Sequence, residues 1–190
     1  MKKARMGISG ALAGAVNGLF GGGGGMVLAP LLESWCRVEE KRALANCVAT
    51  ILPCCVLSGG VYLVRTGLDW GMAWPYLAGG LAGVGCGVLS AWGVGGGTLL
   101  LLVMTLFFGV DQAAAQGVNL LYFLPTAAMG LIWHRQNGLL DKALLRRTVP
   151  WALVTAAAAS WAATALDVTL LRRPFGIFLL IAAAVTLRRK

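Results

Sequence analysis

Between Trp70 and Val110 the chain carries no charged residue, and stretches 6–32, 43–64 and 112–133 carry none either. Charged residues make up 12% of the sequence and hydrophobic ones 58%, whereas soluble domains hold about 25% charged residues. A soluble globular domain is excluded. No Asp, Glu, Lys or His lies deep in the apolar stretches, and the single histidine, His134, stands beside Arg135 at an edge. Proton relays and carboxylate cation sites in membranes need such a residue, so both are excluded. There is no H-E-x-x-H and no Ser/His/Asp or Cys/His set, and no enzyme is expected. The five cysteines, Cys36, Cys47, Cys54, Cys55 and Cys86, form no C-x-x-C pair. They read as small buried hydrophobes, and neither a metal nor a cofactor is expected.

What the sequence does have is apolar length. Six hydrophobic segments fall at about 6–35, 43–64, 70–110, 113–133, 148–166 and 168–187, and a membrane span needs roughly 20 such residues. The expected fold is all-α, a polytopic helical membrane protein forming one membrane domain over 1–190. The net charge of +9 does not point to nucleic acid, because the basic residues sit between and outside the apolar segments, as orientation signals do. Met1 to Arg5 and the apolar run behind them have the outline of a signal peptide. That run holds a glycine motif that recurs later, so it is read as part of the mature chain.

Two segments are interrupted by glycine. The first contains Gly21–Gly25 before Met26, and the third contains Gly93, Gly95, Gly96 and Gly97 before Thr98. Each glycine in a helix costs about 1 kcal/mol relative to alanine. Within a bilayer the freed backbone groups persist only where protein or a wet cavity surrounds them. A helix restarting after such a break turns unpaired N–H groups and the positive end of its dipole back toward the glycines. That suits an anion. Shifting the sequence by 72 places pairs Gly23–Gly25 with Gly95–Gly97, Ala43 with Ala115, Leu52-Pro53 with Leu124-Pro125, and Asp69 with Asp141. The chain therefore reads as repeat 1 (about 6–72), repeat 2 (about 73–147) and an extra helix pair (148–190).

Lys and Arg placement bears on topology. Treating the glycine-broken segments as re-entrant, with both termini cytoplasmic, leaves only Arg65, Arg172 and Arg173 on the opposite face. Treating them as spanning puts Arg37, Lys41 and Arg42 outside with Arg172 and Arg173, and brings Arg65 inside. The re-entrant plan has the better bias, and it makes the two repeats inverted, a transporter arrangement with its site at the repeat interface.

The polar groups inside are neutral: glycine backbone, Asn17, Asn46, Thr50, Ser58, Asn119, Tyr122 and Thr126. Such groups can hold an oxyanion and release it. The expected substrate-binding set is Gly23, Gly24, Gly25, Asn46, Gly95, Gly96, Gly97, Asn119 and Tyr122. Each has a plainer alternative. Glycines also let helices approach closely, Asn46 and Asn119 can satisfy each other or nearby carbonyls, and Pro53 and Pro125 can simply kink their spans.

The run from Asn17 to Leu32, with its glycines and Pro30, resembles the glycine motif of the TauE/SafE sulfite-exporter family. So do the stretch 43–47, the run from Gly93 to Leu100, the run from Gln116 to Thr126 and the junction 172–180. Family members usually have about eight hydrophobic segments, and this chain is a compact version; the counterpart of Pro30 is Leu102. The resemblance implies transport of sulfite or a related organosulfur oxyanion across the bacterial inner membrane. The expected partners are a small anionic substrate, the lipid bilayer, and a second copy or partner half-transporter. The alternative function is a non-transporting membrane subunit or scaffold that completes a larger permease.

Overall fold

The computed structural model of the chain describes residues 2–22, 24–67, 71, 74, 104–105 and 109–165. Five helices are defined among them: α1 (Lys2–Phe20), α2 (Gly24–Ser34), α3 (Glu40–Thr66), α4 (Gln112–Gln136) and α5 (Lys142–Ala165). No strand occurs among the described residues. The glycine break of the third segment and the whole of the sixth lie outside them.

Local chemistry sets the helix ends. The Asp111 carboxylate accepts from the backbone N–H groups of Ala113 and Ala114, at 3.1 and 3.4 Å, and opens α4. Asp141 does the same for α5 through Ala143 and Leu144, at 2.8 and 3.2 Å. Side-chain oxygens are good caps because the first N–H groups of a helix have no intrahelical acceptor. This cap starts α5 before its basic residues, so Lys142, Arg146 and Arg147 ride on the helix instead of forming the loop expected ahead of 148. Gly67, with φ 58°, closes α3, and Gly138, with φ 65°, follows the end of α4. Both adopt the left-handed conformation that glycine takes without a Cβ penalty.

The first apolar segment does not run straight through. It breaks at Gly21, whose φ of 64° is left-handed, and α2 returns along α1. The return is fixed at both ends. Gly24 packs beside Ala13 and Asn17, and the Arg5 guanidinium donates to the Trp35 carbonyl at 3.5 Å. At about 1.5 Å per residue, α1 is about 28 Å long and α2 about 16 Å.

α3 lies parallel to α5, as the sequence of contacts along them requires. Thr50 meets Thr148 at 3.2 Å, Cys54 packs with Ala152 and Ala156, and the Arg65 guanidinium lies 5.1 Å from the Trp161 ring centroid. α4 runs the other way: Tyr62 bonds Gln116 near its start, and Asn46 bonds Leu139 just past its end. α3 and α4 begin at Glu40 and Gln112, the same 72-residue offset seen in the sequence, and Ala43 and Ala115 are both fully buried.

α1 also lies parallel to α5, and along this seam the two backbones press together. A Cβ on Gly10 would overlap the Thr148 carbonyl, one on Gly14 the Ala152 carbonyl, and one on Gly18 the Ala156 carbonyl. Glycine at every fourth position on α1 thus faces Thr148, Ala152, Ala156 and Ser160, small residues at the same spacing on α5. In lipid such small-residue seams bring helices together by van der Waals contact and weak Cα–H···O bonds.

Polarity is distributed in the reverse of a soluble protein. Buried positions include Asn17, Asn46, Thr50, Ser58, Gln116, Asn119 and Thr148, while Val56, Val64, Met129, Ile132, Trp133, Trp151, Val154 and Trp161 are exposed among the described residues. An apolar exterior over polar contacts is what a lipid solvent selects. α3 and α4 are long and apolar enough to cross a membrane.

Candidate functional site

The neutral polar residues gather where the hairpin turns. Tyr62, fully buried on α3, donates its hydroxyl proton toward two acceptors, the Gly18 carbonyl at 3.0 Å and Gln116 Oε1 at 2.7 Å. Gln116 Nε2 in turn donates to the Leu19 carbonyl at 3.3 Å. One turn along α4, Asn119 Nδ2 donates to the Gly21 carbonyl at 2.7 Å. These bonds satisfy carbonyls left over where α1 stops, which water cannot reach in a bilayer. The glycines are needed for the fit as well. A Cβ on Gly21 would overlap Gln116, and one on Gly22 would lie 2.5 Å from Asn119 Nδ2.

Part of the cluster's bonding capacity is left over. Asn119 Oδ1, Asn17 Nδ2 and Ser58 Oγ are buried and have no hydrogen-bond partner among the described residues. Asn17 is fully buried, and among the described residues its Oδ1 accepts only from the Cys55 thiol, at 3.5 Å. Ser58 sits one turn from Cys55 and one turn from Tyr62 on α3. Leaving a buried donor or acceptor unmade costs about 1–3 kcal/mol, and three such groups beside one turn form an arrangement suited to a polar guest. Below them α2 begins at Gly24, with its first N–H groups directed toward the turn.

The sequence-expected residues divide into three groups. Asn119 meets Gly21 and Gly22 at the turn, and Gly24 and Gly25 open α2 just beyond it. Gly24 is tightly packed: a Cβ there would lie 2.6 Å from the Ala13 carbonyl oxygen and 2.9 Å from Ile51 Cδ1. Gly25 has room, since its Cβ would meet only Cys47 Sγ, at 3.5 Å. Asn46 is at the other end of α3. It donates to the Arg42 and Leu139 carbonyls at 2.7 and 3.2 Å and accepts from the Asp141 N–H at 2.9 Å, so its amide is fully occupied by protein. Asn46 and Asn119 each bond carbonyls and do not bond each other. Tyr122 is half-buried on α4, and Gly23, Gly95, Gly96 and Gly97 lie outside the described residues.

Sequence reasoning did not single out Tyr62 or Gln116, which pin the turn. It also passed over the Gly10-Gly14-Gly18 spacing, the signal for the seam with α5. Among the described residues no three His, Cys, Asp or Glu side chains cluster. The chemistry available at the turn is hydrogen bonding by uncharged groups.

Comparison with known proteins gives one match. The sequence profile of the sulfite exporter TauE/SafE family fits residues 1–91 and 86–190, which together span the chain. No curated protein and no solved structure matches it.

Proposed function

The chain belongs to the sulfite exporter TauE/SafE family, and from that premise we propose that it is a multi-pass permease of the bacterial inner membrane that moves sulfite or a related organosulfur oxyanion. The family is one of membrane transporters, so a transport role and a small anionic substrate follow from membership. The observation that carries the reading to this chain is the reversal at Gly21. It places a helix start, a left-handed glycine and buried amides with unused bonding capacity at one point. A weakly held oxyanion needs such donors without a fixed cation, which would slow its release.

The same reversal supports the re-entrant topology. With Trp35 beside Arg5, the loop containing Arg37, Lys41 and Arg42 shares the face of the N-terminus, as the charge bias favours. The antiparallel course of α3 and α4, at the 72-residue offset, supports two inverted repeats.

Liposomes containing the purified protein and loaded with labelled sulfite should release it faster than equally loaded protein-free liposomes do. Glu39→Cys, on a side chain 70% exposed, should react with an impermeant thiol reagent from the cytoplasmic side only. Inserted protein with no flux would favour the non-transporting subunit. Labelling from the periplasm would overturn the re-entrant plan.

A further inference from the structure

We infer that the site at the hairpin turn selects its sulfur oxyanion as a singly charged, proton-bearing species, hydrogensulfite in preference to the sulfite dianion. This rests on the permease reading and concerns the same site.

The first ground is charge. The turn is built from Asn17, Ser58, Tyr62, Gln116, Asn119 and glycine backbone, all neutral. From α1, α2, α4 and α5, the charged Arg5, Glu33, Arg135, Lys142, Arg146 and Arg147, with His134, stand at the opposite end of the bundle. Arg42 on α3 is also at that end. The titratable groups beside the turn are the Tyr62 and Tyr122 phenols and the Cys55 thiol that bonds Asn17. Near the turn are Arg65 of α3, which lies over Trp161, and Asp111, whose carboxylate caps α4. Desolvation energy scales with the square of charge, so a dianion loses roughly four times as much hydration as a monoanion on entering a low-dielectric site. Neutral dipoles can offset the smaller loss far more readily than the larger.

The second ground is the polarity of the unused atoms. Asn119 is oriented by the Gly21 carbonyl, which accepts from its Nδ2, so the unpaired atom is the oxygen Oδ1, an acceptor. Facing a fully deprotonated oxyanion, that oxygen would meet only negative oxygens. Facing hydrogensulfite in its O-protonated form, HOSO2−, it accepts a hydrogen bond, while Asn17 Nδ2 and the Ser58 hydroxyl donate to the oxygens that carry the charge. A guest with one donor and several acceptors uses these three valences. Gln112 Nε2, one turn before Gln116 and likewise buried without a partner among the described residues, is a further donor at that end of α4.

Calorimetric titration of the wild-type protein in nanodiscs tests this, with total sulfite and, in parallel, methanesulfonate, from about pH 6 to about pH 8. Hydrogensulfite and sulfite interconvert near neutral pH, so the singly charged fraction falls about tenfold across that range, and the apparent affinity for total sulfite should fall with it. Methanesulfonate is a monoanion throughout but has no proton to donate to Asn119 Oδ1, so it should bind more weakly than hydrogensulfite does at about pH 6, and equally at both ends of the range. Sulfite binding that stays flat or tightens as pH rises, sulfate competing as well as sulfite, or a parallel fall for methanesulfonate would each overturn the inference while leaving a permease. Failure of both anions to bind at any pH would overturn the permease reading, and the inference with it.

Discussion

Along α1 the glycines at 10, 14 and 18 let the helix press its backbone against α5, while the glycines from 21 onward stop the same helix and send the chain back. The residue is the same, and spacing decides its role. Three other residues between successive glycines keep α1 helical, and each gap admits a carbonyl from Thr148, Ala152 or Ala156. Consecutive glycines remove that support, and the break is stabilised from outside by Tyr62, Gln116 and Asn119. The seam is shape-matched backbone. The turn is polar, with part of its hydrogen bonding unused. A glycine count says little about a membrane protein until its period is read.

The largest effect should come from the seam. Gly14→Leu drives a side chain into the Ala152 carbonyl and Thr155 Oγ1, and overpacking of this kind costs about 3 kcal/mol or more. Folded protein recovered in detergent should fall sharply, with flux lost alongside it; a wild-type melting curve would show that the seam is loose. At the turn, stability and flux should separate. Gly25→Leu, at the position with room for a Cβ, should keep its melting temperature and lose flux by about tenfold, equivalent to about 1.4 kcal/mol. Unchanged flux would leave the glycine run as a chain reversal and nothing more. Gly24→Leu cannot make that distinction, because it also collides with Ala13.

A smaller change should follow Asn119→Leu, which removes the donor to Gly21 and the unpaired Oδ1 together. Substrate binding should weaken by about 1–3 kcal/mol; lower stability with intact binding would assign Asn119 to the turn alone. The smallest effect should be at Gly60, exposed on α3 with nothing within 4 Å of a Cβ. Gly60→Ala should raise stability by about 0.5–1 kcal/mol through helix propensity. A loss of stability would mean that another part of the chain packs against that face.

Features written locally could be read from the sequence. The helix break at Gly21–Gly25 follows from glycine propensity, and the start of α4 from the point where the apolar run resumes after Asp111. α5, by contrast, begins at the Asp141 cap, well ahead of the apolar segment read from 148. Features that need a distant partner could not. The spacing of Gly10, Gly14 and Gly18 is visible, but nothing local says that α5 is its partner. Asn46 looks like a lining residue until the Leu139 and Asp141 backbone is found beside it. Cys36, next to a charged loop, invites use as an accessible thiol, yet it is only 2% exposed. The chain curls inward there, with the Val38 N–H bonded to the Leu32 carbonyl at 3.1 Å, and for that reason Glu39 is the better probe position.

Asn46 also bears on how the bundle can move. One side chain ties α3 to the Leu139 carbonyl and the Asp141 N–H of the α4–α5 connection, and to its own Arg42 carbonyl. Sliding α4 along α3 by a turn would break the two inter-element bonds at once, about 1 kcal/mol net for each. At the other end Tyr62, Gln116 and Asn119 tie α3 and α4 to the carbonyls where α1 stops. The two helices are therefore clamped at both ends, and a movement that keeps these bonds must carry the hairpin tip along with α3 and α4.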